Sequence, residues 1–239
     1  MKYILILMLN ICLTSNLALA IPAISAADHS TWNNLLKSHV TEDGKVDYKG
    51  FIKDKIRLNA YTQYLSEHTP DKSWSENEKL AYWINAYNAF TIALIIEHYP
   101  TKSIMDIKNA WDIDFIHLGN KTYTLNDIEH QIIRKEFDEP RIHFVLVCAA
   151  ISCPVLLNEA YISAKLDQQL QHQGELFIND PSKNSIKVNK ANVSQLFNWF
   201  GDDFTKNGSL IDYLNQFSEI KLDPNATIDF LEYNWDLNE

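Results

Sequence analysis

The sequence predicts an α+β fold, one helix-rich domain with a small, mainly antiparallel sheet. Three observations predict it. Helical apolar spacing recurs more often than strand alternation, the strand-like segments follow tight turns rather than regular crossovers, and the stretch at about 76–98 reads as a helix buried at the centre of the fold. The chain of 239 residues is 46% hydrophobic and 22% charged, long enough and apolar enough to bury a sizeable core. No repeat and no linker rich in Pro, Gly or Ser divides it, so 28–239 reads as a single domain.

Residues 1–27 carry Lys2, an apolar run from Tyr3 to Leu13, and small residues at Ala18-Leu19-Ala20 and Ser25-Ala26-Ala27. That pattern reads as a cleaved secretory signal, with the mature protein periplasmic or secreted and not stably inserted in a membrane. The apolar run is too short to span a bilayer. Cys12 leaves with the signal, and Cys148 and Cys153 remain in a setting that permits disulfides.

Residues 28–40 place Trp32, Leu35, Leu36 and Val40 at helical spacing, and a turn at Glu42-Asp43-Gly44-Lys45 leads into a short strand at 46–48. A helix follows at 51–65. Ser75-Glu76-Asn77-Glu78 is a capping box, and 80–96 is apolar on every side except at Asn85, Asn88 and Thr91, with Pro100 ending it. Residues 114–118 and 121–124 flank Gly119-Asn120 as a hairpin, and 124–135 is a helix capped by Thr124 with Asp127 three positions on. The β-branched and aromatic run 141–147 reads as a strand, 154–173 as a helix stopped by Gly174, 185–188 as a strand, 191–200 and 210–217 as helices, and 227–231 as the last strand.

The charge balance, Lys+Arg 21 against Asp+Glu 31 for a net −10, removes the phosphate attraction that nucleic-acid binding needs. The six scattered glycines exclude a phosphate loop and the dinucleotide fingerprint, so no cofactor is implied. No Gly-x-Ser-x-Gly elbow is present. Adjacent acids such as Asp202-Asp203 read as a solvated surface turn. His143, Cys148 and Cys153 with His117 or His130 offer soft metal ligands, but without the tight spacings of common zinc sites, so no metal is expected.

The segment 141–154 holds the chemistry. Strand periodicity puts Arg141, His143, Val145 and Val147 on one face, and Pro154 at the first position of a helix puts Cys153 at its cap. There the helix dipole favours a thiolate, and unpaired amides form an oxyanion hole. His143 is the expected base, Glu129 the group orienting its ring, and Asn85 or Asn88 positions substrate. The structural readings stand beside these: Asn85 and Asn88 bonding loop backbone, Glu129 in a surface ion pair with Arg134 or Arg141, and Cys148 and Cys153 joined in a disulfide. Two functions follow. One is an exported thiol hydrolase or acyltransferase acting on an amide or thioester of a small molecule or peptide. The other is a non-enzymatic envelope binding module, with a Cys148–Cys153 disulfide and with Arg141 and the buried Asn85 and Asn88 recognising a peptide or small acidic ligand. Thiol–disulfide exchange by the same pair ranks behind both.

Trp83-Ile84-Asn85-Ala86-Tyr87-Asn88-Ala89, Leu125-Asn126-Asp127-Ile128-Glu129, Arg141-Ile142-His143-Phe144 with Ser152-Cys153-Pro154, Ser194 to Phe200 with Asp203-Phe204, and the closing Tyr233 to Asn238 together resemble the family catalogued as domain of unknown function 547. The resemblance implies a shared site around His143 and Cys153 in a single-domain architecture and brings no substrate with it. Where the family pattern has a glycine soon after the first cysteine, this chain has Ala149-Ala150.

Overall fold

The computed structural model describes residues 27–239, and the expected signal segment, except its last residue Ala27, lies outside the described residues. The helix Glu76–Glu97 (α4) runs through the centre, its side chains buried almost without interruption from Leu80 to Ile96. Its start is the expected capping box: Ser75 Oγ accepts the Glu78 amide at 3.3 Å and the Glu78 carboxylate accepts the Ser75 amide at 2.7 Å. The helices Tyr48–Lys53 (α2) and Lys55–Glu67 (α3) pack on α4, and Ser30–His39 (α1) packs on α2 and α3. The strand expected at 46–48 shrinks to a single bridge between Val40 and Val46, because the Asp47 carboxylate accepts the Gly50 amide and starts α2 there.

The strands form two small sheets, and the architecture is α+β. The expected hairpin is Ile116–Leu118 (β1) against Lys121–Tyr123 (β2), antiparallel, with His117 opposite Thr122. The second sheet has the order Ser185–Lys187 (β3), Lys190–Val193 (β4), Thr227–Phe230 (β5). β3 and β4 are antiparallel, and β4 and β5 are parallel. Residues 191–193 were expected to begin a helix. They become the middle strand because β3 and β5 satisfy their backbone on both sides while Ala191 and Val193 face the core. The short helices Leu196–Trp199 (α7) and Gly201–Phe204 (α8) and the helix Leu210–Phe217 (α9) then carry the chain across to β5.

Three other local expectations change. Residues 141–147 are not a strand: Pro140–Phe144 is a 3₁₀ turn, since Pro140 has no amide to give a ladder and the Glu139 carboxylate accepts the Arg141 amide. No helix begins at Pro154. Residues 155–162 run irregularly because side-chain amides take their backbone groups: Gln173 donates to Val155 O at 2.9 Å, Gln169 donates to Ala160 O at 3.0 Å and accepts from Ile162 at 3.1 Å. The helix starts at Leu166 and continues to Asn179 (α6), so Gly174 is interior rather than a stop. The helix expected at 124–135 is present but wound as a π-helix over Asp127–Ile133 before the α-turn Arg134–Glu136 (α5).

Two apolar clusters share the molecule. One surrounds α4; the other gathers Phe177, Phe197, Phe204, Tyr213 and Phe217 around Phe144, with ring centroids 5.4 to 6.3 Å from it. Gly174 is required there. A Cβ on it would lie 2.8 Å from the Phe217 ring and 3.2 Å from the Phe144 ring, both buried. Alanine would add about 1 kcal/mol of helix propensity, but overpacking of this kind costs about 1–3 kcal/mol. Gly174→Ala is therefore expected to lower the urea midpoint of unfolding, whereas a free helix surface would raise it.

Candidate functional site

The Asn85 and Asn88 side chains leave α4 on one side and capture loop backbone. Asn88 donates to Val145 O at 2.9 Å and accepts the Val147 amide at 3.0 Å, and Asn85 donates to Tyr161 O at 2.7 Å and accepts the Tyr161 amide at 3.0 Å. Each is a positioning residue for the chain just before Cys148 and the chain returning after Cys153. Beyond Val147 the backbone turns through Ala149, whose φ of 62° is left-handed, a conformation glycine adopts more readily than alanine. The C-terminal segment holds this turn in place: Ile151 donates to Asp236 O, Ser152 to Asn234 O and Asn238 to Ala149 O, at 2.8 to 3.2 Å.

Cys148 and Cys153 are joined by a disulfide. The helix dipole expected at Cys153 is missing because no helix begins there, yet its sulfur accepts from the Cys148 amide at 3.0 Å and from the Tyr233 hydroxyl at 3.1 Å, a hydroxyl it shares with Cys148 Sγ at 3.3 Å. The disulfide, His143 and Glu129 line one cavity of about 230 Å³, walled by Tyr87, Trp111, Trp199, Phe200, Tyr233 and Trp235.

His143 and Glu129 share the cavity without bonding each other. Asp203, on α8, orients the imidazole instead, accepting from His143 Nε2 at 2.8 Å and from Arg134 Nε at 2.7 Å. The His143 hydrogen bond, with Arg134 beside it, holds the Asp203 carboxyl far below the usual carboxylate range, so Asp203 is ionised and the imidazole proton sits on Nε2. The ring stacks on Phe200 at 3.9 Å, and burial lowers its pKa, leaving a neutral imidazole whose Nδ1 has no hydrogen-bond partner among the described residues.

Glu129 is buried on the π-helix, and burial pushes its pKa up to about 7 against a hydrogen bond from Tyr87 that favours the carboxylate. It pairs with neither Arg134 nor Arg141. Arg141, expected to meet a ligand, is outside the cavity: Glu139 grips it with both carboxylate oxygens at 2.6 and 2.8 Å, and Asp167 accepts at 2.8 Å. Among the described residues no three His, Cys, Asp or Glu side chains gather as a metal site, and no helix is long and apolar enough to cross a membrane. Asp203, Trp199 and Tyr233 were not among the expected site residues. Their only sequence signal is that they fall in the later blocks of the family pattern.

The profile of the family described as "Protein of unknown function, DUF547" matches residues 72–178, which hold α4, the π-helix, His143 and both cysteines. No curated protein and no solved structure matches the chain.

The raised Glu129 pKa has a sign that can be checked. Folding takes up a proton at this carboxyl, so its ionised form penalises the folded state, not at all below about pH 4, increasingly as pH rises toward 7, and by roughly 3 kcal/mol above that. Glu129→Gln is expected to gain stability over the parent chain by about that amount between pH 5 and pH 8, read from urea unfolding at both pH values. A difference that does not change with pH would mean an exposed carboxylate.

Proposed function

We propose, for a chain whose residues 72–178 belong to the DUF547 family, an exported thiol-dependent hydrolase or acyltransferase in which Cys153 is the nucleophile, His143 the base and Asp203 the group that orients the imidazole. Glu129, first expected to orient the ring, lies in the same cavity but has no contact with His143. The observation that carries this reading is the convergence on one cavity of a sulfur facing two donors and a neutral imidazole whose other nitrogen is tied to a carboxylate.

The disulfide makes the described state the resting form. A dithiol reductant takes the disulfide over, leaving two thiols on the protein and the reductant oxidised. His143 Nδ1 then accepts the Cys153 proton, and the thiolate attacks an amide or thioester carbonyl carbon. The imidazolium returns that proton to the departing amine or thiol as the acyl bond to nitrogen or sulfur breaks. Water or an amine next attacks the acyl-enzyme with His143 taking its proton, and Cys153 leaves as the acid or new amide is released. The alternative, a binding module, is favoured by the disulfide itself and requires no reduction.

Cys148→Ser separates the two, because it frees Cys153 while keeping the donor amide. The expected result is iodoacetamide alkylation of Cys153 with a midpoint at least about one pH unit below the ordinary thiol value of about 8.5, shifted upward by about one unit in Tyr233→Phe. Asp203→Asn is expected to depress the reaction of Cys153 with p-nitrophenyl acetate by about tenfold or more, with Nε2 no longer anchored to a charge. Alkylation at the ordinary thiol midpoint, unmoved by Tyr233→Phe, would leave the binding module standing.

A further inference from the structure

We propose that this cavity binds the head of an organic ammonium ion, caged by its aromatic faces and neutralised by the Glu129 carboxylate. This deepens the thiol reading by naming the group its substrate presents, and it rests on that reading for the use of the cavity.

The rings that line the cavity form one continuous aromatic wall. Trp111 meets Trp235 edge to face at 5.9 Å and 75°, and Trp199 stacks on Trp235 at 5.8 Å and 23°. Tyr233 closes the corner, 4.5 Å from Trp235 and 4.9 Å from Trp199. Aromatic faces carry partial negative charge and attract a cation that has left water. Among the described residues that line the cavity, Glu129 is the one carboxylate, and no lysine or arginine joins it. The Arg134 guanidinium nearby is engaged by Asp203 and lies over the outer Phe200 face at 5.1 Å. An anion would therefore meet a carboxylate and ring faces with nothing to balance it. A neutral sugar would find acceptors in Glu129 and the His143 Nδ1 but few donors, since the Asn126 amide is already held by Asp112 at 2.6 Å.

The groups facing the carboxyl are Tyr87 from α4, His130 and Arg134 from its own helix, Asp203 from α8, and His143 and Tyr233 across the cavity. Burial and Arg134 hold His130 neutral, and burial holds His143 neutral, so Glu129 is the group whose charge changes near neutral pH. An arriving cation selects the ionised carboxylate, and affinity rises as pH increases through about 7.

Calorimetry on the oxidised protein tests this, because Cys153 cannot react there and the outcome is separate from the alkylation result. The probes are choline and its uncharged carbon isostere, 3,3-dimethylbutan-1-ol. Choline is expected to bind at least about tenfold more tightly than the isostere at pH 8, and about tenfold more weakly at pH 6 than at pH 8. Glu129→Gln should abolish that pH dependence and weaken choline about tenfold or more, and Trp199→Leu, at a half-exposed wall, should weaken it at both pH values. Equal affinity for the isostere, unchanged affinity in Glu129→Gln, displacement by glucose, or no saturable heat with choline at about 10 mM would each overturn the proposal.

Discussion

Two asparagine side chains on an otherwise apolar helix hold the site together. Asn85 and Asn88 each use both ends of the amide, donating to one backbone carbonyl and accepting one backbone amide. These are the pairs a neighbouring strand would make, supplied by a helix that has no strand to offer. A buried backbone group without a partner costs about 1–3 kcal/mol. The irregular segments on both sides of the cysteines are thus tied to the most deeply buried element of the molecule. Without that tie, Val145, Val147 and Tyr161 would each leave a polar group stranded against α4.

From this anchor the cavity forms at the seam between the two apolar clusters. His143 and Phe144 are consecutive on a tight turn, so their side chains diverge. Phe144 enters the aromatic cluster beneath the three-stranded sheet, and His143 faces the cavity against Phe200. The C-terminal segment then crosses the Cys148–Cys153 turn with backbone hydrogen bonds at Asn234, Asp236 and Asn238, and this lays Tyr233 and Trp235 over the sulfur atoms. The site is assembled from six separate stretches of the chain, around Tyr87, Trp111, Glu129, His143 to Pro154, Leu196 to Phe200 and Tyr233 to Trp235.

That assembly explains what the sequence made legible. The capping box at Ser75, the β1–β2 hairpin around Gly119, the α9 boundaries and the greasy centre of α4 depend on neighbours within a few residues, and pattern alone identifies them. His143, the cysteines and Glu129, singled out by chemical type, line one cavity. Their mutual roles were not legible. Asp203 reaches His143 across sixty positions and looks like an ordinary surface acid in isolation. The absence of a helix at Pro154 depends on Asn85, Gln169 and Gln173 taking the backbone groups a helix would have used, a competition no local propensity registers. At Pro140 the reverse happened. A proline and one carboxylate cap outweighed a β-branched and aromatic run that pattern alone assigns to a strand.

Burial acts on the cavity in one direction. It raises Glu129 and lowers His143 and His130, so each group tends toward its neutral form near pH 7, while the charge that remains, the Arg134–Asp203 pair, is compensated within itself. A partly open cavity of this kind has little field of its own and responds to a charge brought against its buried groups. A thiolate at Cys153 would be met by the Cys148 amide, the Tyr233 hydroxyl and a proton moving to His143; a cation would be met by Glu129 and the indole faces. The two charges have opposite sign and share one small volume, so each lowers the cost of the other. On the thiol reading, an ammonium-bearing substrate would therefore favour ionisation of the sulfur that attacks it, adding to what the Cys148 amide and the Tyr233 hydroxyl supply in the empty cavity.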